Sequence, residues 1–458
     1  MKIVGYFHLF FPEHCAGSET TVHAALAAMV RRGHQVQVIC DRSVVAPYTD
    51  SGIEVVRPPR RNQQNWLRSF VADADLLVTH LDLTSLAMQL ALNTHKPLVH
   101  FVHNGAQLEF WRVIPLKAQL VVFNSQWIAD LEKDWTYRNP DELTLWPGPS
   151  IVVHPVVEPH RYTCERGGGV TLVNPTTTKG SAVFYELAQR FPNLQFITAQ
   201  GGYNHQDCCP SRDSHRVTVP VERRHHPFYD DKGDEQNCYG LPNVTHLRRD
   251  PDIRNVFRRT RVLLMPSDYE SYGRVGVEAA CAGIPTIAHP TEGLREAFGN
   301  AAIFCDRNDV DAWEKEVDRL YTDDVYYQQR AGAALALAES LQPEVEFDRL
   351  EAALIATADK WHMDHEAKDM NIWISDRVIW KMKDGSYRAE LERGRIPPGA
   401  AFQFAGVGTK VPMDLAIEQG WIGEQSRIVE VGKMVDGPAE NKALTGPKEN
   451  KSGKARAA

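Results

Sequence analysis

Pro266-Ser267-Asp268-Tyr269-Glu270-Ser271-Tyr272-Gly273-Arg274-Val275-Gly276-Val277-Glu278-Ala279-Ala280-Cys281-Ala282-Gly283-Ile284-Pro285 follows directly on the apolar run Val262–Met265. That run reads as a buried strand, being short, continuous and rich in branched residues. A loop ending at Gly273 comes next, and a helix opens near Arg274. A helix start carries unpaired backbone N–H groups and the positive end of its dipole, so at the end of a buried strand it is an anion site. Gly273 and Gly276 allow backbone to approach a ligand closely. Glu270 in the loop and Glu278 inside the helix flank that site. Carboxylates repel phosphate, but they accept hydrogen bonds from sugar and ribose hydroxyls.

Outward from this stretch, short apolar strands alternate with amphipathic helices over about 340 residues, the pattern of parallel α/β sheets. Ile3–Phe7 reads as the first strand. The helix after it carries Val22, Ala25, Leu26, Met29 and Val30 on one face and ends at Gly33. Val36–Cys40, Leu76–Thr79, Leu98–His103 and Leu120–Phe123 continue a first series. Val170–Val173, Gln195–Thr198, Val244–Leu247, Val262–Met265 and Thr286–Ala288 form a second. The stretch Val152–Arg166, followed by Gly167-Gly168-Gly169, reads as the hinge between them. Two doubly wound sheets facing one another place a ligand cleft at the carboxyl ends of their strands.

The chain has 458 residues, 43% of them hydrophobic and 24% charged, with a formal charge of −8. Length calls for two or three compact units, and the acidic balance argues against a dedicated nucleic-acid binder. Eight cysteines without a Cys-x-x-Cys pair point to reduced thiols and a cytoplasmic setting. The N-terminus reads as a buried strand and not as a secretion signal, and no apolar run approaches the ~20 residues of a membrane span. Residues 203–240 are polar and read as a long loop. Its His205, Asp207, Cys208, Cys209, His215, His225, His226 and Cys238 match no closed Cys/His spacing, so a solvated loop is preferred over a zinc site. Residues 361–430 carry short strand-like pieces at Ile372–Ile374, Val378–Met382 and Tyr387–Ala389, which suggest a small β-rich module. Residues 431–458, almost without large apolar side chains, read as a disordered tail.

The Glu270-to-Glu278 stretch, with its preceding strand and its Gly-Ile-Pro ending, resembles the Glu-x7-Glu signature of glycosyltransferase family 4, a large family of retaining GT-B enzymes. The resemblance covers roughly residues 1–340. It implies an α/β GT-B fold of two Rossmann-like domains, the acceptor-side domain at 1–155 and the nucleotide-sugar domain at 156–340. A helix at 341–360, around Phe347–Ala358, then crosses back onto the first domain. Ala16-Gly17-Ser18-Glu19 resembles the family's glycine-rich first loop beside the donor phosphates. Val173-Asn174-Pro175-Thr176-Thr177-Thr178-Lys179-Gly180 resembles its Gly-Arg-…-Lys-Gly loop, with Asn174 standing where the family has arginine. Pro290-Thr291-Glu292-Gly293-Leu294-Arg295-Glu296 keeps one glycine of the family's Gly-Gly loop. Asn124-Ser125 resembles its serine-containing turn.

What the resemblance implies for the site is specific. Gly17, Ser18, Asn174, Lys179, Gly273, Arg274, Val275 and Glu278 line the nucleotide-sugar site, with Glu278 on the ribose. His103, Glu270 and Lys179 stand at the reacting sugar. Arg274, where many relatives carry an apolar residue, is expected from its own place at the opposite helix start to restore the charge missing at Asn174. The reaction is a front-face displacement in which the departing diphosphate helps to accept the proton of the acceptor, with no metal and no other cofactor; no Asp-x-Asp element stands where it could hold a metal between the phosphates. The acceptor, a glycan, protein or lipid, is not identified. Gly394–Trp421 resembles small modules in bacteriophage-encoded proteins, and the region beyond 360 is expected to serve targeting or self-association. Two alternatives stay open: a GT-B epimerase or hydrolase of sugar nucleotides, and a sugar-nucleotide-binding or virion-associated protein that has lost catalysis.

Overall fold

The computed structural model describes residues 1–43, 45–105, 118–131, 149–202, 241–366 and 383, together with the backbone of short strands elsewhere. The first sheet contains β1 (Lys2–Phe7), β2 (Gln35–Cys40), β3 (Tyr48–Asp50), β4 (Ile53–Val56), β5 (Leu76–His80), β6 (Leu98–Val102), β7 (Leu120–Phe123) and β8 (Ser150–Val152). Their order is β3-β4-β2-β1-β5-β6-β7-β8. Only β3 runs antiparallel to its neighbour. The second series comprises β9 (Gly169–Val173), β10 (Phe196–Ala199), β11 (His205–Asp207), β12 (Thr218–Pro220), β13 (Gln236–Cys238), β14 (Leu241–Leu247), β15 (Thr260–Met265), β16 (Thr286–Ala288) and β17 (Ile303–Phe304). Seven of these form the second sheet, in the order β13-β14-β10-β9-β15-β16-β17. The expected two parallel α/β layers are therefore present.

Period-two alternation explains why the strands are apolar throughout. Ile3 and Phe7 of β1 enter one core with Val36, Val38, Leu76 and Val78, whereas Val4 and Tyr6 enter the core on the other face with Ile39 and Leu77. Helices cover both faces, so neither set of side chains meets water. The helix Gly17–Arg31 buries Val22, Ala25, Leu26 and Met29 as its spacing predicts. It closes at Gly33 (φ +87), with Gly33 N–H donating to the Val30 carbonyl and His34 N–H to that of Met29. This double bond pattern needs a left-handed residue, which glycine supplies without a Cβ penalty.

The helix Pro343–Glu366 places Phe347, Leu350, Leu354 and Ala358 in the core of the first sheet. Arg32 fastens it by donating to Glu344, Asp348 and Glu351 at 2.6, 2.6 and 2.8 Å. The helix continues past the expected boundary at 360: Trp361 Nε1 donates to the His95 carbonyl at 3.2 Å. The final turns remain helical because this face still finds partners on the first domain.

The polar segment 203–240 also departs from the loop reading. β11 and β12 pair antiparallel, and β13 joins the second sheet as an antiparallel edge on β14. Edge pairing satisfies backbone groups without apolar side chains, so no hydrophobic period announces it. The side chains of its candidate zinc ligands lie outside the described residues. Beyond 366, β18 (Ile372–Ile374), β19 (Val378–Met382), β20 (Tyr387–Glu390), β21 (Ala400–Ala405) and β22 (Lys410–Pro412) form two small antiparallel sheets. The tail at 431–458 lies outside the described residues.

Candidate functional site

In each sheet the strand order turns at one strand: β1 lies between β2 and β5, and β9 between β10 and β15. Loops leaving such a switch point diverge and leave a crevice. The loops after β1, β9 and β15 border a cavity of about 620 Å³. Gly17 and Ser18 come from the first sheet, and Asn174, Lys179, Glu270, Gly273, Arg274 and Val275 from the second; His103 and Asn124 join from the ends of β6 and β7. Glu278 borders an adjoining cavity of about 310 Å³ that shares Gly17, Arg274 and Val275 with the first. Every residue expected at the site thus borders one of two contiguous spaces.

Lys179 Nζ donates to Glu270 Oε1 at 2.6 Å, and Ser267 Oγ donates to the same oxygen at 2.9 Å. The pair is largely sheltered, with 28% and 12% of its side chains exposed. Gly293 braces the loop. A Cβ there would lie 2.2 Å from the Glu270 carbonyl oxygen, so only glycine lets the segment 290–296 pack this closely. Thr291 caps the helix Glu292–Phe298, its side chain accepting from Leu294 N–H. The glycine that survives from the expected Gly-Gly pair therefore supports the backbone carrying Glu270.

Asn174, in the position of the missing arginine, adopts a left-handed conformation with φ +61. Asparagine tolerates this region better than most residues, which is a local reason for its presence. Arg274 is occupied elsewhere. Its Nε donates to Glu278 Oε1 at 2.7 Å, Nη1 to the Val156 carbonyl at 2.8 Å and Nη2 to Tyr162 Oη at 2.9 Å. The guanidinium charge is matched to Glu278 before any ligand arrives. Burial raises the carboxyl pKa of Glu278, while Arg274 and Tyr162 act to lower it.

His103 is buried, and burial lowers its pKa to about 3, leaving a neutral imidazole beside the cavity. Asn124 Nδ2 donates both to the His103 carbonyl at 3.0 Å and to Ser271 Oγ at 2.9 Å, linking the first sheet to the Glu270 loop. Gly105 N–H donates to Tyr269 Oη at 2.6 Å.

A second link sits in the hinge. Glu296 accepts from the N–H groups of Gln126 and Trp127 at 2.7 and 2.9 Å, capping helical residues 126–131 of the first domain. The same carboxylate meets His154 Nε2 at 2.9 Å, while His154 Nδ1 lies 3.2 Å from Glu346 on the helix Pro343–Glu366. Hydrogen bonds to Glu296 and then Glu346 raise the His154 pKa to about 9, against the opposing effect of burial. The raised folded-state value means that the stabilisation is full below the unfolded value of about 6.5 and is lost as pH rises through about 9. The melting temperature of the wild type should exceed that of His154→Gln clearly at about pH 6 and by almost nothing at about pH 10. An equal gap at both ends would show that His154 acts through packing alone.

Residues 16–149 match Glycosyltransferase Family 4, and residues 235–334 match Glycosyl transferases group 1. The O-antigen chain mannosyltransferase B of Escherichia coli is 30% identical over 95 residues, which cover 21% of this chain and 25% of that protein. The D-inositol 3-phosphate glycosyltransferase of Paenarthrobacter aurescens is 34% identical over 88 residues, 19% of this chain and 21% of that one. The chain thus spans a quarter or less of these curated relatives. Likeness in fold extends further. A sucrose-phosphate synthase from Thermosynechococcus elongatus superimposes with a TM-score of 0.57 at 15% identity, covering 78% of this chain and 100% of that one. Anabaena HepE in complex with UDP-glucose gives 0.57 at 17% identity, with the same coverage of both chains. The chain has a GT-B fold, in which a first segment, residues 16–149, is similar to Glycosyltransferase Family 4 and a second, residues 235–334, to Glycosyl transferases group 1.

Proposed function

We propose that this chain is a cytoplasmic, retaining glycosyltransferase that moves a sugar from a nucleoside diphosphate sugar to an acceptor hydroxyl without a metal between the phosphates. The observation that carries the reading is the convergence of the Lys179–Glu270 pair, His103 and the Gly17-Ser18 loop on one cavity between two sheets. The UDP-glucose bound to the similarly folded Anabaena protein supports a nucleotide-sugar donor.

In this reaction the acceptor oxygen forms a bond to the anomeric carbon on the face that the diphosphate leaves. The bond from that carbon to the diphosphate breaks, and a departing phosphate oxygen takes the acceptor proton. The work of the protein is to position the reactants and to stabilise charge on the leaving group. Lys179 supplies the cation, and the backbone donors at Gly273, Arg274 and Val275 add to it. Glu270 accepts from a donor-sugar hydroxyl, Glu278 from the ribose, and Arg274 holds Glu278 in place. The resemblance of Gly394–Trp421 to small modules in bacteriophage-encoded proteins makes a phage structural protein or a host envelope component the acceptor class to try first.

Incubation with UDP-, GDP- and ADP-sugars and acceptor extracts tests the reading: one donor should be consumed in an acceptor-dependent way, with the product keeping the donor's anomeric configuration by NMR. Asn174 and the pairing of Arg274 favour one rival, a protein that binds sugar nucleotides without turning them over. Nucleotide binding with no donor consumption in any extract would select it.

Two further results are expected. Transfer should proceed in EDTA at close to the full rate, and a strict need for added Mg²⁺ or Mn²⁺ would remove the proposed mechanism. Glu278→Ala should weaken binding of the free nucleoside diphosphate by about tenfold or more, the worth of one or two charge-assisted hydrogen bonds. Titration calorimetry below the melting point of the variant measures this. Wild-type affinity in Glu278→Ala would exclude the ribose contact.

A further inference from the structure

Next to Ser18, a second group of residues meets that the proposed chemistry does not use. His8 follows β1, His80 ends the adjacent strand β5, and Glu19 stands in the first turn of the helix Gly17–Arg31. All three are buried, at 2%, 0% and 0% exposure. One ligand atom from each lies within 4.8 Å of the others, and His8 Nε2 is 3.9 Å from Glu19 Oε1. We propose that His8, Glu19 and His80 bind one divalent first-row transition metal ion, with Zn²⁺ as the reference occupant.

The ligand types select the metal class. Two imidazoles and a carboxylate suit Zn²⁺ and its neighbours, whereas Mg²⁺ and Ca²⁺ take all-oxygen shells. A tetrahedral zinc with bonds near 2.1 Å sets its ligand atoms about 3.4 Å apart, so atoms that now lie within 4.8 Å of one another need to close by at most about 1.4 Å. His80 is the second, independent sign. Among the described residues, neither of its ring nitrogens has a hydrogen-bond partner, although the residue is fully buried. Buried polar atoms are nearly always satisfied, and a metal would satisfy this one.

Burial, with His103, His8 and His100 adding to it, holds the His80 pKa well below the usual imidazole range. Burial lowers the pKa of His8 as well, with Arg42 acting in the same sense and Asp82 against it. Ser18 Oγ donates to Glu19 Oε2 at 2.8 Å, while Oε1 is the oxygen nearest His8. This is the outer-shell hydrogen bond that commonly orients a ligating carboxylate. Phe7 packs edge-on to the His80 ring at 4.7 Å between centres and screens the group from water. Such an ion would pin the ends of β1 and β5 to the helix start that presents Gly17 and Ser18. It is not a bridge between donor phosphates, and its presence does not depend on the proposed activity.

The test reads metal directly. Full-length protein is produced in minimal medium with Co²⁺ as the added transition metal, purified without chelator, and examined by elemental analysis and visible absorption. One Co²⁺ per chain with intense d–d bands is expected, together with a melting temperature several degrees above that of chelator-treated protein. His80→Asn and Glu19→Gln should each lose the ion. His80→Cys, which replaces one ligand by another, should keep it and add a thiolate-to-cobalt charge-transfer band. This variant decides the matter if the first two do not fold. Wild-type protein without stoichiometric Co²⁺ or Zn²⁺ overturns the proposal. So does undiminished metal in His80→Asn, which would place the ion elsewhere, for example in the Cys/His-rich segment 203–240.

Discussion

Glu270→Ala is expected to lower kcat for transfer from the intact sugar donor by about 10²–10³-fold, with affinity for the free nucleoside diphosphate unchanged within a few-fold. The carboxylate stands 2.6 Å from Lys179 Nζ and is held by Ser267 Oγ and by the close packing of Gly293 on its backbone. Removing it has two consequences that act together. The donor sugar loses an acceptor for its hydroxyls, and Lys179 loses the partner that directs its ammonium group. Both matter most when charge develops between the sugar and the departing diphosphate. Neither touches the region of Glu278, where the free nucleotide is expected to sit. Steady-state kinetics and nucleotide titration on the same variant separate the two effects. A Glu270→Ala enzyme that keeps its kcat but loses nucleotide affinity would reverse the roles assigned to the two carboxylates.

Arg274→Ala should cost about 3–5 kcal/mol of stability and lower the melting temperature by on the order of 10 °C. Arg274 and Glu278 leave only 8% and 9% of their side chains exposed and meet at 2.7 Å. A lone buried carboxylate is far costlier than a buried pair, because its desolvation is no longer offset. The Val156 carbonyl and Tyr162 lose a donor at the same time. Since burial already raises the Glu278 pKa, loss of the guanidinium should raise it further. The variant should therefore be more strongly impaired at about pH 8 than at about pH 5, where protonation relieves the buried charge. The double variant Arg274→Met with Glu278→Leu should recover much of the stability while losing the ribose contact. A single Arg274→Ala variant within about 1 kcal/mol of wild type would mean that the network is solvated and that Arg274 serves the ligand alone.

Much of this protein was determined by short-range pattern. Strand, loop, glycine and helix follow one another from Val262 to Ala280, and each step obeys a local rule: branched apolar residues, then a turn, then a helix with Glu278 one turn after Arg274. The same holds for Val22, Ala25, Leu26 and Met29 on one face of a helix and for the Schellman ending at Gly33. From such units the two-sheet α/β architecture could be read, whereas the residues bordering the cavity were named through the resemblance to glycosyltransferase family 4. Asn174 was visible as a departure; that its left-handed backbone suits asparagine was not.

Only the tertiary structure decided how those residues are used. Arg274 and Tyr162 are 112 positions apart, and His154 meets Glu296 and Glu346 at separations of 142 and 192. Periodicity reports neighbours within a few residues, so it cannot show which buried charge faces which. Arg274 could be expected at a phosphate from its place at a helix start, yet its long side chain folds back onto Glu278. The edge strand at Gln236–Cys238 escaped for a related reason, since its backbone pairing needs no apolar side chain. His8, Glu19 and His80 look unrelated along the chain; they are brought together because β1 and β5 lie side by side in a parallel sheet, whose strands all end at the same edge.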